Sequence, residues 1–236
     1  MSIVELFNID NMVYETDMRF KFIYMDCIYN RKDLNYINKY WSLLDKNSVL
    51  VVQTDHSTAA QIKLYLDSMP NSYFINEIIY KQEWGGTPKK GFPKKHDNVY
   101  IYSNDGNGEG YQWFPEKVQI AKKTAGTKFD KKGTGLKTPC SVWDDLGNFS
   151  TMSKERIKNE DGKNIHWQKQ LSFMRRIMSP FLKDGDNVCD PFMGTCTTGV
   201  MAIELNCNFV GVEYDTSVFN LAKKRIDGIM NVTKEN

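Results

Sequence analysis

Apolar and polar positions alternate along this chain between two rhythms, one of strands and one of helices. Phe22-Ile23-Tyr24-Met25 is an unbroken apolar run ending at Asp26, and Ser48-Val49-Leu50-Val51-Val52 is a second. Short apolar runs of this kind predict strands covered on both faces. Ile75 to Tyr80 and Val99 to Tyr102 predict two more. Thr58 to Ser68 predicts a helix with apolar positions Ile62, Leu64, Tyr65 and Leu66, and Pro70 lies just past its end. Further on, Trp167 to Lys183 predicts an amphipathic helix whose last turn is disturbed by Pro180. Then follow a short strand at Val188-Cys189 ending in Asp190, a helix from Thr198 to Leu205, a strand from Phe209 to Val212 and a helix from Ser217 to Ile229. Strands alternating with helices predict an α/β fold, a mostly parallel sheet with helices on its faces.

Two stretches break the rhythm. Gly85 to Lys95 is a loop by composition. Residues 104–150 carry seven glycines and no periodicity. A long irregular stretch in a compact domain is usually functional. The expected organisation is therefore a core built from residues 1–103 and 151–236, with an insertion at 104–150.

Composition narrows the classes. With 236 residues, 41% of them hydrophobic, the chain can bury a core, which excludes global disorder. No run approaches the roughly 18 apolar residues of a membrane span. The opening MSIVELFNIDNM lacks a basic n-region, so the expectation is a cytoplasmic protein. Five scattered cysteines and three distant histidines predict neither a metal site nor a disulfide framework. The net charge of +2 hides an asymmetry: Lys89 to Lys137 holds eleven Lys, no Arg and five acids. A basic centre in an acidic frame predicts a segment facing a polyanion; a solvated lysine-rich loop is the alternative. The pairs Lys89-Lys90, Lys94-Lys95, Lys122-Lys123 and Lys131-Lys132 suit phosphates as point charges on flexible stems. Most of the interspersed Trp84, Phe92, Tyr111, Trp113 and Phe114 are expected to be packing residues.

The densest chemistry is Asp190-Pro191-Phe192-Met193-Gly194-Thr195-Cys196-Thr197-Thr198-Gly199, set between a strand and a helix. In doubly wound sheets ligands sit outside the carboxyl ends of strands. Gly194 would admit a ligand close to the backbone. The hydroxyls and amides of Thr197 and Thr198, at a helix N-terminus, favour an anionic group such as a carboxylate. The next strand ends in Glu213, placed to accept hydrogen bonds from the ribose of a nucleoside cofactor. The string contains neither G-x-G-x-x-G nor G-K-[ST], which disfavours a dinucleotide or a nucleoside triphosphate.

Asp190-Pro191-Phe192-x-Gly194-x-x-Thr197-Thr198 resembles the D-P-F-x-G-S-G-T-T motif of amino-methylating DNA methyltransferases. Gln168-Lys169 is similar to that family's Q-K segment, Trp143-Asp144-Asp145 followed by Glu155-Arg156 to its W-D-D and E-R lead-in, and Asn8-Ile9-Asp10 to its G-D segment. The resemblance implies a Rossmann-like methyltransferase fold in the circularly permuted β order, with S-adenosylmethionine as cofactor. It places Asp10, Lys169, Asp190, Phe192, Gly194, Thr197, Thr198 and Glu213 around that cofactor. The family's catalytic D-P-P-Y string falls on Asp26-Cys27-Ile28-Tyr29, with Cys27 and Ile28 where the prolines stand. The resemblance implies that the Asp26 carboxylate and the Cys27 carbonyl accept the two amino hydrogens of a flipped base, while Tyr29 stacks on it. It also implies Cys196 where the family has Gly. The implied substrate is the N6 amine of adenine in DNA, within DNA methylation of the restriction–modification kind. The alternatives are cytosine N4, RNA, or an impaired DNA-binding homologue or partner subunit, and the partners are DNA and either a second copy or a related subunit.

Overall fold

The computed structural model describes residues 2–26, 33–82, 86–147, 149–150 and 152–235. Five parallel strands form one side of the main sheet: β1 (Val4–Asn8), β2 (Phe20–Asp26), β3 (Leu44–Thr54), β9 (Asn187–Asp190) and β10 (Asn208–Glu213). β4 (Tyr73–Lys81), β5 (His96–Ser103) and β8 (Val142–Trp143) complete the other side. The spatial order is β1-β10-β9-β2-β3-β5-β4-β8. Only β5 runs against its neighbours. β6 (Ile120–Ala121) and β7 (Leu136–Lys137) pair separately as a small hairpin. The helices are α1 (Asn35–Ser42), α2 (Ala59–Asp67), α3 (Leu171–Met178), α4 (Thr197–Glu204) and α5 (Thr216–Glu235).

The unbroken runs behave as side-chain alternation requires. Phe22 and Tyr24 of β2 face a core with Phe173, Met174 and Ile177 of α3, Val200 and Met201 of α4, and Ile226 of α5. Ile23 and Met25 face the opposite core, with Tyr36, Ile37, Tyr40 and Trp41 of α1 and Ile62 and Leu66 of α2. Helices thus cover both faces of a mostly parallel, doubly wound sheet. Leu64, expected on the apolar side of α2, is instead exposed, because the buried positions are Ala59, Ile62 and Leu66, one helical stripe.

Two elements depart from the sequence expectation in extent. The helix expected from Trp167 begins only at Leu171. The Gln168 side chain holds the preceding segment extended, bonding Ile157 N and Glu155 O at 2.7 Å each, and Glu155 Oε1 accepts the Leu171 amide at 2.6 Å. Pro180 converts the end into a 3-10 turn over Ser179–Phe181. Within the expected insertion, Val142–Trp143 joins the main sheet beside β4, and Trp143 is buried against Phe173 at 5.9 Å between ring centroids. The end of residues 104–150 is therefore a part of the core sheet, bonded there by strand pairing.

Candidate active site

Parallel pairing decides which ends meet. β9 lies between β10 and β2, with Ile23 opposite Cys189 and Phe22 opposite Val188. The chain therefore leaves β2 at Asp26 and β9 at Asp190 on the same edge, on adjacent strands. β10 ends at Glu213 on that edge too, and β1 brings Asn8 opposite Glu213. A cleft of about 640 Å³ opens there. Asp26 and all eight residues expected around a cofactor line it: Asp10, Lys169, Asp190, Phe192, Gly194, Thr197, Thr198 and Glu213. Cys27 and Tyr29 lie outside the described residues.

The turn after β9 is built from its own polar atoms. Asp190 is buried; its Oδ2 accepts the Thr198 hydroxyl at 2.5 Å and its Oδ1 the Phe192 amide at 3.0 Å. Burial pushes its carboxyl up to about 7, and those two bonds restrain the shift. The Thr197 hydroxyl is also spent inside the protein, on the Lys169 carbonyl at 3.2 Å. The expected anion-facing hydroxyls are thus structural struts, one on Asp190 Oδ2 and one on the Lys169 carbonyl; the first-turn amides of α4 are what the turn offers an anion. Cys196 caps α4 at φ 61° and ψ 40°, the left-handed region where a Cβ is strained. Gly194 also has a positive φ of 52°, and a Cβ there would stand 2.6 Å from the Trp167 ring. Backbone, not side chain, therefore faces the cleft at Gly194.

Glu213 closes the other side of this turn. Its Oε2 accepts the Gly194 amide at 3.0 Å and its Oε1 the Asp215 amide at 2.9 Å. Burial raises its pKa, while these amides oppose the rise. Each carboxylate oxygen keeps a further lone pair for a hydroxyl. Five carboxyl groups, Asp10, Asp26, Asp190, Glu213 and Asp215, share this lining with one cationic side chain, Lys169.

Lys169 lines the cleft as expected, and its ammonium is turned onto Asp26: Nζ lies 2.7 Å from Oδ2, with only 14% of the lysine side chain exposed. Burial pushes the Asp26 carboxyl up, and Lys169 is the main opposing influence. Asp26 Oδ1 is out of contact with water and has no hydrogen-bond partner among the described residues. A buried acceptor without a donor is costly, and sites that keep one generally reserve it for a ligand.

Four residues escaped the sequence reading of the site. Trp167, half exposed, lies over Gly194. Asn11 donates to the Pro191 carbonyl at 3.2 Å, and Tyr40 donates to the Asn11 carbonyl at 3.0 Å, so the segment after β1 laps onto the Asp190 turn. Arg225 of α5 donates to the Thr195 carbonyl at 2.9 Å and to Thr197 Oγ1 at 3.1 Å. Each acts across a long sequence separation, and local pattern carries no signal for that.

The lysine pairs fall on two elements, the β4–β5 connection and the β6–β7 hairpin. Lys89, Lys90, Lys95, Lys123, Lys131 and Lys132 are exposed. Lys94 and Lys122 are half-buried and engaged with acids, Lys94 with Asp97 at 3.0 Å and Lys122 with Asp130. Those two brace their own loops, which removes them from the set offered to phosphates. Of the aromatics expected to pack, Tyr111 and Trp113 do lie against Phe181, at 6.2 and 5.3 Å. Phe92 does not: it is 98% exposed. Trp84 lies outside the described residues. Among the described residues there is no helix long and apolar enough to cross a membrane and no cluster able to hold a metal ion.

The family model described as DNA methylase, the N6/N4 group, matches residues 24–224. Type II methyltransferase M.HinfI of Haemophilus influenzae is 42% identical over 74 residues, 31% of this chain and 21% of that protein. Type II methyltransferase M.HindIII of the same species is 39% identical over 80 residues, 34% of this chain and 26% of that protein. These matches thus span only about a fifth to a quarter of either relative's length. The crystal structure of an M1.HpyAVI–SAM complex superposes with a TM-score of 0.66 over 94% of this chain and 100% of that one, at 19% identity. PvuII DNA methyltransferase, described as cytosine-N4-specific, gives 0.69 over 95% and 86%, at 11% identity.

Proposed function

The chain belongs to the N6/N4 family of DNA methylases, and on that footing we propose that it transfers a methyl group from S-adenosylmethionine to the N6 amine of adenine in DNA. The observation that carries this reading is Asp26 Oδ1, a buried acceptor without a partner among the described residues, set on the same edge as the Asp190–Glu213 cradle. The cradle fits the donor. Gly194 lets an adenosyl group lie against backbone, Glu213 has lone pairs left for ribose hydroxyls, and the acids of the lining favour a cationic ligand. When bound, S-adenosylmethionine supplies an electrophilic methyl on a sulfonium.

The chain's own residues supply position and charge. An exocyclic amine is a poor nucleophile because its lone pair is delocalised into the ring. Asp26 Oδ1 would accept one amino hydrogen, localising the lone pair and fixing its direction. Lys169 holds the other oxygen, which favours the ionised carboxylate against the effect of burial and fixes the orientation of the group. Displacement at the methyl is then chiefly a matter of alignment and preorganised charge. Cys27 and Tyr29 complete the proposal from sequence, as carbonyl acceptor and stacking ring. The exposed lysines of the two basic elements would meet phosphates. The preference for adenine rests on Asp26 in place of the serine common among cytosine-N4 enzymes.

The test is nucleoside analysis of DNA from cells expressing the wild-type chain or Asp26→Ala. N6-methyladenine that falls at least a thousandfold in the variant is the expected result. N4-methylcytosine would overturn the choice of base. Label independent of Asp26 would overturn the mechanism. The purified variant should still bind S-adenosylmethionine, read by calorimetry.

A further inference from the structure

The most exposed large apolar side chain in the described protein is Phe92, and it stands in a place where a lone ring has a use. β4 runs parallel to β3, so its carboxyl end, and the connection to β5 that follows, emerge on the edge that carries Asp26 and Asp190. The stem of that connection is tied down. Gln82 N donates to the Lys95 carbonyl at 2.8 Å. The buried Asp97 gathers Gln82 Nε2 at 2.8 Å, Gln53 Nε2 at 2.9 Å and Lys94 Nζ at 3.0 Å. Gln53 is the residue opposite Asp26 in the β2–β3 pair. Two strand spacings, roughly 10 Å, therefore separate Asp26 from the strand that carries Asp97.

Above that stem the described residues read Gly86-Thr87-Pro88-Lys89-Lys90-Gly91-Phe92-Pro93-Lys94-Lys95. Gly91 has φ +93°, which turns the chain sharply, and Pro93 fixes the backbone on the other side of the ring. Phe92 is the one apolar side chain of this run other than proline. A protein partner would be met by an apolar patch, and this is a single ring between cationic pairs. Duplex DNA offers what fits: phosphates for the lysines and a base stack for the ring.

We propose that Phe92 is a wedge that enters the duplex beside the target nucleotide and takes up the stacking that the extruded base gives up. This rests on the proposed function, since only an enzyme that extracts a base needs the gap filled. Lys89 and Lys90 bring the loop to the backbone, while Lys94 and Asp97 keep its stem from yielding when the ring is pushed in.

The experiment first maps the methylated site by sequencing DNA from expressing cells. It then measures kcat/KM of wild type, Phe92→Ala and Phe92→Trp on two oligonucleotide duplexes. One is fully paired, and the other has an abasic position opposite the target, so that the base is already unpaired. Phe92→Ala is expected to lose roughly ten- to a hundredfold on the paired duplex and less than threefold on the abasic one, with Phe92→Trp near wild type. An equal loss on both duplexes, or no loss on either, overturns the wedge. Unchanged melting temperature in both variants, expected of so exposed a residue, excludes misfolding as the cause. A wild-type chain that methylates neither duplex overturns the proposed function and the wedge together, whereas methylation indifferent to Phe92 sinks the wedge alone.

Discussion

The two halves of the active edge are finished to different degrees. On the side of the proposed donor the side chains of Asp190, Glu213 and Thr197 are already held by the protein: Asp190 by Thr198 and Phe192, Glu213 by Gly194 and Asp215, Thr197 by Lys169 and Arg225. On the target side Asp26 keeps one oxygen without a partner among the described residues, and beyond it lie exposed lysines and a bare ring. The contrast matches the two ligands. A small molecule is gripped by a cradle rigid in advance, which lowers the entropy lost on binding. On the proposed function, a polymer is met by charges on flexible stems and becomes ordered only at the base that is pulled out. Rigidity here follows the size of what is bound.

The sharpest way to break that contrast is at Lys169, the hinge between the halves. Lys169→Met leaves the buried Asp26 carboxylate without its cation, and removing one member of such a pair is strongly destabilising to the charged form. The Asp26 pKa, already raised, rises further. The acidic limb of the kcat–pH profile is therefore expected to move to higher pH, with kcat at pH 7 down about a hundredfold. Lys169→Arg should return the limb most of the way. An unmoved limb in Lys169→Met would show that the pair does not govern the reaction.

Next in size is the donor cradle. Gly194→Ala puts a Cβ 2.6 Å from the Trp167 ring on a left-handed backbone. The affinity for S-adenosylmethionine is expected to fall about tenfold or more, the equivalent of ~1–2 kcal/mol. Combining it with Trp167→Leu should restore part of the loss. Calorimetric titration measures both.

A smaller effect is the pH dependence of stability. The Asp190 carboxyl titrates near 3.8 in a free chain and at about 7 when folded, so between those values the folded state binds more protons than the unfolded one. Stability from this group is complete below the lower value and is lost as the pH rises through the higher one. Asp26 and Glu213, also raised by burial, add the same sign. Denaturant midpoints of the unliganded protein should fall between pH 5 and about 7. In Asp190→Asn, which cannot ionise, that fall should be shallower.

The smallest is Cys196→Gly. Relief of the left-handed Cβ, about 1–2 kcal/mol, is offset by the space left where the sulfur now packs beside Gly199. Net stability should change by less than about 1 kcal/mol, read from the same denaturant curves.

The parts legible in the sequence were those where one physical signal dominated. Continuous apolar runs gave β2, β3 and β10, because strands covered on both faces have no polar positions to interrupt them. The clustering of Asp190, Phe192, Gly194, Thr197, Thr198 and Glu213 in one cleft was legible because they lie within one turn and the next strand tip. β1 and α1 were not read. β1 is an edge strand with exposed positions, and α1 is built from Tyr36, Ile37, Tyr40 and Trp41, types that favour strands and hide helical spacing. Phe92 was read as packing because composition reports a ring without reporting its exposure. Arg225 was not found because its partners lie about thirty residues away.

Among the described residues β5 is the sole reversed strand in the main sheet, and that single reversal makes the basic loop an interchangeable part. A connection between two parallel strands has to cross the sheet and carry core residues with it. A hairpin end carries none, and doubling its length costs only about 0.6 kcal/mol in closure entropy. Segments of other lengths and compositions are thus graftable between Gln82 and Lys94, leaving the Asp97 stem and the proposed donor cleft in place. Choice of target and chemistry of transfer are in this way free to diversify separately.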